Sequence, residues 1–149
     1  MDSTHLLYLH GFRSSPRSFK ARRMEAVVRE RHPGVAWWCP QLLPSPREAM
    51  ALVSQGIRGW PRERMAVVGS SLGGYYATWV AEETGCRAVL LNPAVHAARD
   101  LAAHVGQQKA WHDPAESFHF APAFVEELRA LERGPVTHPD RYFAVIARG

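Results

Sequence analysis

The run Val67-Val68-Gly69-Ser70-Ser71-Leu72-Gly73-Gly74 limits what this chain can fold into more than any other stretch. An apolar run breaks into a serine flanked by glycines, and a helical pattern follows. The spacing Gly69-Ser70-Ser71-Leu72-Gly73 is that of a nucleophile elbow, Gly-x-Ser-x-Gly, in which a sharp strand-to-helix turn lifts the central serine above the end of a sheet. Gly69 and Gly73 must be small because a side chain at either would collide with the neighbouring strand or helix. The five-residue pattern is short, and a glycine-rich turn with no chemistry would also satisfy it. Its surroundings favour the elbow. Met65-Ala66-Val67-Val68 reads as a buried strand, and Tyr75 to Glu83 lacks Gly and Pro and sets Tyr76, Trp79 and Val80 at helical spacing. The atom singled out is Ser71 Oγ, and the reaction class is acyl transfer.

Strand and helix patterns alternate around this turn. Leu6-Leu7-Tyr8-Leu9 is a short apolar run ending at His10-Gly11, as a buried strand would. Ser15-Pro16 predicts a helix start, with serine as cap and Phe19, Met24, Val27 and Val28 as the apolar face, ended by His32-Pro33-Gly34. Val35 to Trp38 reads as the second strand. Ser45-Pro46-Arg47-Glu48 has capping-box spacing and opens a helix with Ala49, Met50, Val53 and Ile57 on one side. Met65 to Val68, Arg87 to Leu91 and Tyr142 to Ala147 read as further strands. Between the last two come a short amphipathic piece (Ala97, Ala98, Leu101, Ala102, Val105), a poorly periodic stretch from Gly106 to Pro122, and a helix with Phe124, Val125, Leu128 and Leu131 on one face. No repeat or linker divides the chain. Residues 1–149 are expected to form a single α/β domain with about five mainly parallel strands and helices on both faces. Reactive groups should then gather at the carboxyl ends of the strands.

Composition narrows the partners. At 149 residues, 46% hydrophobic and 21% charged, the chain can bury a core of its own. No apolar stretch approaches the ~20 residues of a membrane span, and the start, Met1-Asp2-Ser3-Thr4-His5, is not that of a signal peptide. Cys39 and Cys86 lack metal-ligand spacing and read as free thiols, which fits a reducing cytoplasm. The net charge is +4, and every basic residue except Lys20 and Lys109 is arginine. These residues are scattered, with no run longer than Arg22-Arg23, so a solvated surface is expected rather than a nucleic-acid face. Neither a metal nor a cofactor is expected.

Two longer strings carry a resemblance. Leu7-Tyr8-Leu9-His10-Gly11-Phe12-Arg13-Ser14-Ser15-Pro16 and Val68-Gly69-Ser70-Ser71-Leu72-Gly73-Gly74-Tyr75-Tyr76-Ala77-Thr78-Trp79 resemble the YqiA-type small bacterial esterases, compact members of the α/β-hydrolase fold. The run Leu91-Asn92-Pro93-Ala94-Val95 is similar to the same family. The resemblance extends from Leu6 to about Arg148 and is diffuse between Gly106 and Pro139. It implies that Ser71 attacks an acyl carbonyl. Donors for the resulting oxyanion would be the backbone N–H of Leu72, aided by the helix N-terminus, and the backbone N–H of Phe12 in the loop after the first strand. His10 is expected to hold that loop by hydrogen bonding rather than to act as base, and Ser70 to be structural.

A serine hydroxyl also needs a base and an orienting acid, which follow the serine in chain order in this fold. The resemblance places the acid just beyond a strand like Tyr142 to Ala147, followed by the catalytic histidine and a last strand and helix. The sequence is thus expected to be C-terminally incomplete. Possible substitutes after Ser71 are His96, His104, His112, His119 and His138, with Asp100, Asp113 and Asp140 among them, and His96 is the nearest plausible one. His112 and His119, beside Trp111, Phe118 and Phe120, read better as a cap lining an acyl pocket or as a packed loop. Two functional readings result. One is a serine esterase or thioesterase acting on short acyl chains, impaired in this chain. The other is a non-catalytic module of the same fold that binds a small ligand or a partner. A fifth strand at a sheet edge could also pair with a second copy.

Overall fold

A computed structural model of the chain describes residues 2–111, 113 and 115–148. Along it, β1 (His5–Leu9) leads to α1 (Phe19–Arg31), β2 (Ala36–Trp38), α2 (Pro46–Gly56), β3 (Met65–Ser70), α3 (Leu72–Thr84), β4 (Arg87–Leu91), α4 (Ala97–Leu101), the paired β5 (Gly106–Lys109) and β6 (Ser117–Phe120), α5 (Pro122–Ala130) and β7 (Tyr142–Val145). The main sheet has five strands in the order β2-β1-β3-β4-β7, every neighbouring pair parallel. Parallel strands need crossovers, and the helices between them supply these. The expected α/β class is observed.

The two faces of the sheet are covered unequally. Leu7, Leu9, Met65, Val67 and Ala88 point to one face, where α2, α3 and α5 contribute Met50, Val53, Tyr76, Val80 and Leu128 to the larger core. Tyr8 and Val68, the alternate residues, meet Ala21 of α1 on the other face in a much smaller cluster. Toward β7 this second face thins out. Phe143 is 67% exposed and Ile146, just past the strand, 66%.

Local sequence explains most helix starts. Ser45 caps α2 as its spacing predicts, its hydroxyl accepting from the Glu48 N–H at 3.2 Å. The reciprocal partner comes from α5: the Glu127 carboxylate accepts from the Ser45 hydroxyl at 2.5 Å and from the Arg47 N–H at 3.0 Å. Tyr75 ties α3 to the same helix by donating its buried hydroxyl to the Leu128 carbonyl at 2.6 Å. The expected start of α1 at Ser15-Pro16 is wrong. Ser15 is fully buried and turns the chain, its Oγ accepting from the Arg17 N–H, and Ser18 is the cap, accepting from Ala21. With the helix begun later, Phe19 leaves the apolar face and is 82% exposed.

The stretch from Gly106 to Pro122 is also more regular than expected. It forms an antiparallel hairpin, Gly106 opposite Phe120 and Lys109 opposite Ser117. The fifth sheet strand ends at Val145 rather than Ala147, and the Ala147 N–H donates instead to the Asn92 side chain at 2.7 Å. Both cysteines are free thiols. Burial, with the Glu25 charge adding to it, pushes the Cys39 thiol up to about 12. Among the described residues no helix is long and apolar enough to cross a membrane.

Candidate active site

Ser71 lies immediately past the carboxyl end of β3, the middle strand, and directly before α3. Its backbone is at φ 57°, ψ −117°, a region that side-chain-bearing residues rarely occupy. Such a conformation costs about 1–3 kcal/mol and persists only where the surroundings over-determine it. Here three hydrogen bonds do so. The Ser71 N–H donates to the Leu91 carbonyl at 3.0 Å, and the Ser71 carbonyl accepts from the Gly74 and Ala94 N–H groups, both at 2.9 Å. The glycines clear the space this requires. A Cβ on Gly69 would lie 2.0 Å from the Gly73 carbonyl oxygen, and one on Gly73 1.9 Å from that of Leu9. Leu72 begins α3, so its N–H is one of the donors a helix N-terminus leaves without an intrahelical partner. Ser71 is exposed, and its Oγ bonds to no described residue.

The loop after β1 comes against this turn. A Cβ on Gly11 would meet the Ser71 Cβ and the Ser70 carbonyl oxygen, each at 3.3 Å, and Ser71 Oγ at 3.8 Å. Phe12 follows, and its N–H donates to no described residue. His10, 4% exposed, fastens the loop from both sides of its ring. Its Nε2 accepts from the Leu42 N–H at 2.9 Å and faces the Gln41 amide nitrogen at 3.2 Å. A backbone N–H can only donate, so the ring proton sits on Nδ1, which donates to the Gly11 carbonyl at 2.9 Å. Ser70 is buried beneath, with Lys20 Nζ at 3.4 Å from its Oγ. Burial, and then the nearby Cys39, raises the Tyr8 phenol above its ordinary value, against a smaller opposing effect of hydrogen bonding to Ser70.

Two hollows meet at the elbow. The first, about 190 Å³, is bounded by Phe12, Leu42, Pro44, Leu72, Tyr76 and Phe118 and is predominantly apolar. Its roof is the β5–β6 hairpin, where Phe120 and Phe118 set their ring edges against Phe12 with centroids 5.2 and 5.7 Å away. Arg13, at φ 63°, latches that roof to the β1 loop. Its Nε donates to the Lys109 carbonyl at 2.6 Å, its carbonyl accepts from the Trp111 N–H at 2.7 Å, and its guanidinium lies 4.0 Å over the Trp111 ring. The second hollow, about 370 Å³, holds Ser71 with Tyr8, Ser14, Ser18, Lys20 and Ser70.

The histidines considered as substitutes lie elsewhere. His96 is exposed before α4 and borders a hollow with Trp79 and Pro93 that does not contain Ser71. His104 packs its ring against Phe12 at 5.7 Å, His119 is exposed on β6, and His138 is exposed and bonds Thr137. None lines the Ser71 hollow. Of the carboxylates, Asp100 pairs with Arg99, Asp113 accepts from the Ala115 N–H, and Asp140 lies in the turn before β7. His112 falls outside the described residues. No three His, Cys, Asp or Glu side chains among the described residues converge to hold a metal ion. Sequence reading missed Lys20 and Arg13 because each acts across the fold, Lys20 fifty positions from Ser70 and Arg13 ninety-six from Lys109.

A five-stranded parallel sheet with helices on both faces is the architecture of the α/β hydrolases. Alpha/beta hydrolase domain-containing protein 10 from mouse matches with a TM-score of 0.67 over 95% of this chain and 78% of its own, at 13% identity, a likeness of fold alone. Residues 5–149 match the family described as Uncharacterised protein family (UPF0227), and the chain belongs to that family.

Proposed function

We propose that the chain carries the acyl-transfer machinery of a serine esterase or thioesterase for short acyl groups. The observation that carries this is Ser71 itself, held at φ 57° where two hollows meet, its Oγ bonding to no described residue. In this reading Ser71 Oγ forms a bond to the acyl carbon and its proton passes to a base. The oxyanion is received by the N–H groups of Leu72 and Phe12, and the C–O or C–S bond to the leaving group breaks. Water then hydrolyses the acyl-serine. The acyl chain occupies the hollow under Phe118 and Phe120. Each methylene buried there is worth about 0.8 kcal/mol, roughly a fourfold gain in kcat/KM until the space is full.

The base and its acid come, in this reading, from outside the described residues, as the resemblance to the small bacterial esterases implies. That no described histidine except the fully engaged His10 lines the Ser71 hollow favours the second reading, a ligand-binding module without turnover. Without base and acid, only the residual catalysis of an oxyanion hole and binding would remain, of order 10³–10⁴ over water in the protease precedent. Labelling with a neutral fluorophosphonate decides between the two. The esterase reading requires a stoichiometric adduct on Ser71, lost in Ser71→Ala, with p-nitrophenyl butyrate preferred to both the acetate and the decanoate. No adduct at high reagent excess selects the binding module.

A further inference from the structure

The hollow that holds Ser71 is electrostatically one-sided. Among the described residues that line it, Lys20 is the only charged side chain, and it makes no ion pair with any described residue. It sits at the second position of α1, a helix of thirteen residues capped by Ser18, with no acidic residue in its first turn. The N–H groups of Phe19 and Lys20 open the helix and have no acceptor among the described residues. A helix N-terminus favours negative charge, so a lysine there works against helix stability where an Asp or Glu would contribute to it. Two features therefore point positive potential at one place: the ammonium and the helix end with its free N–H groups. That place also holds Ser14, Ser18 and Ser70 hydroxyls and the Ser71 nucleophile of the proposed reaction. Across the elbow the other hollow is apolar and accounts for the acyl chain.

We propose that the hollow around Ser71 and Lys20 is the leaving-group subsite, and that the alcohol or thiol part of the substrate carries an anionic oxygen group, carboxylate or phosphate, which pairs with Lys20. This rests on the esterase reading for what is cleaved, but not for whether the anion binds. Lys20 is exposed at the end of a flexible stem, so it can meet such a group without rearranging the elbow. Its bond to Ser70 Oγ, long at 3.4 Å, is readily exchanged for a charge-assisted one.

The test measures how benzoate, phenyl phosphate and the neutral isostere benzamide protect Ser71 from fluorophosphonate labelling. Benzoate or phenyl phosphate should protect well below the concentration that benzamide requires. Lys20→Met should raise the half-protecting concentration of the anions about five- to tenfold and leave that of benzamide unchanged. Whichever anion protects at the lower concentration identifies the group as carboxylate or phosphate. Equal protection by benzoate, phenyl phosphate and benzamide, or no effect of Lys20→Met, overturns the subsite while the esterase reading stands. If Ser71 is never labelled, the esterase reading fails, and calorimetric titration of benzoate and phenyl phosphate onto the wild type and Lys20→Met decides the anion site. Binding that the substitution removes supports it, whereas binding that is absent or insensitive overturns it.

Discussion

At Gly73 a methyl group would press to 1.9 Å from the Leu9 carbonyl oxygen, and backbone on both sides leaves nothing flexible to yield. Gly73→Ala is therefore expected to destabilise the fold by at least about 3 kcal/mol, or to abolish soluble expression, because β1 and α3 must separate to admit it. Gly134→Ala meets nothing within 4 Å and should change the urea midpoint by no more than about 0.5 kcal/mol of stability. Equal midpoints for the two variants would show that β1 and α3 are not in contact at the elbow. The residue scale is where sequence reading went furthest. Gly69, Ser71 and Gly73 could be named from spacing alone, since the turn that exposes Ser71 tolerates only glycine at those two flanks. The structural role expected of His10 agrees with its hydrogen bonds to Leu42 and Gly11. Lys20 carried no such signal, because a lone lysine near a helix start looks like any solvated residue until the fold sets it beside Ser70.

Elements differ in how much of their placement is local. The α2 cap was legible because Ser45 and Glu48 lie three residues apart, whereas Glu127, which completes it, comes from the far end of the chain. The β5–β6 hairpin was missed because Gly106-Gln107-Gln108-Lys109 has no apolar face of its own. The one available signal was the alternation Ser117-Phe118-His119-Phe120, which brings two aromatic rings to the roof of the apolar hollow. Docking of β7 is also non-local, and its chemistry makes it sensitive to acid. The Glu82 carboxylate of α3 accepts from the Tyr142 hydroxyl at 2.6 Å and from the Thr137 hydroxyl at 2.8 Å. The Tyr142 hydrogen bond, with smaller help from Thr137, holds Glu82 below the ordinary carboxylate range. A lowered native pKa contributes stability that is complete above the unfolded value and disappears as pH falls through the native one. Glu82→Gln should therefore lower the urea midpoint at neutral pH, and its deficit against wild type should close in acid, below about pH 4. A deficit that persists unchanged into acid would mean that the carboxylate charge contributes nothing to this contact.

For the whole molecule, the alternation of strands and helices made a parallel sheet predictable, but not its uneven cover. Helices α2, α3 and α5 crowd one face, and α1 alone serves the other, so apolar side chains near β7 remain in solvent. Beyond β7 no described strand follows, and its outer N–H and C=O groups form an unpaired row. Phe143, Val145 and Ile146 give that edge an apolar border, at 67%, 46% and 66% exposure. The devices that usually blunt an edge, such as inward-pointing charge, proline or a bulge, are absent from Tyr142-Phe143-Ala144-Val145. A second copy offers the same row in reverse, and antiparallel pairing of two β7 strands would satisfy both sets of backbone groups and cover both apolar borders. We therefore expect this chain to self-associate. Sedimentation velocity over a dilution series should show the sedimentation coefficient falling toward that of a single chain as concentration drops, by mass action. Phe143→Lys combined with Ile146→Lys should shift the whole series to the single-chain value without lowering the urea midpoint, since neither side chain is buried. A wild type that sediments as a single chain at every concentration would leave the β7 edge without a self-pairing role, and association that survives the double substitution would place the contact elsewhere.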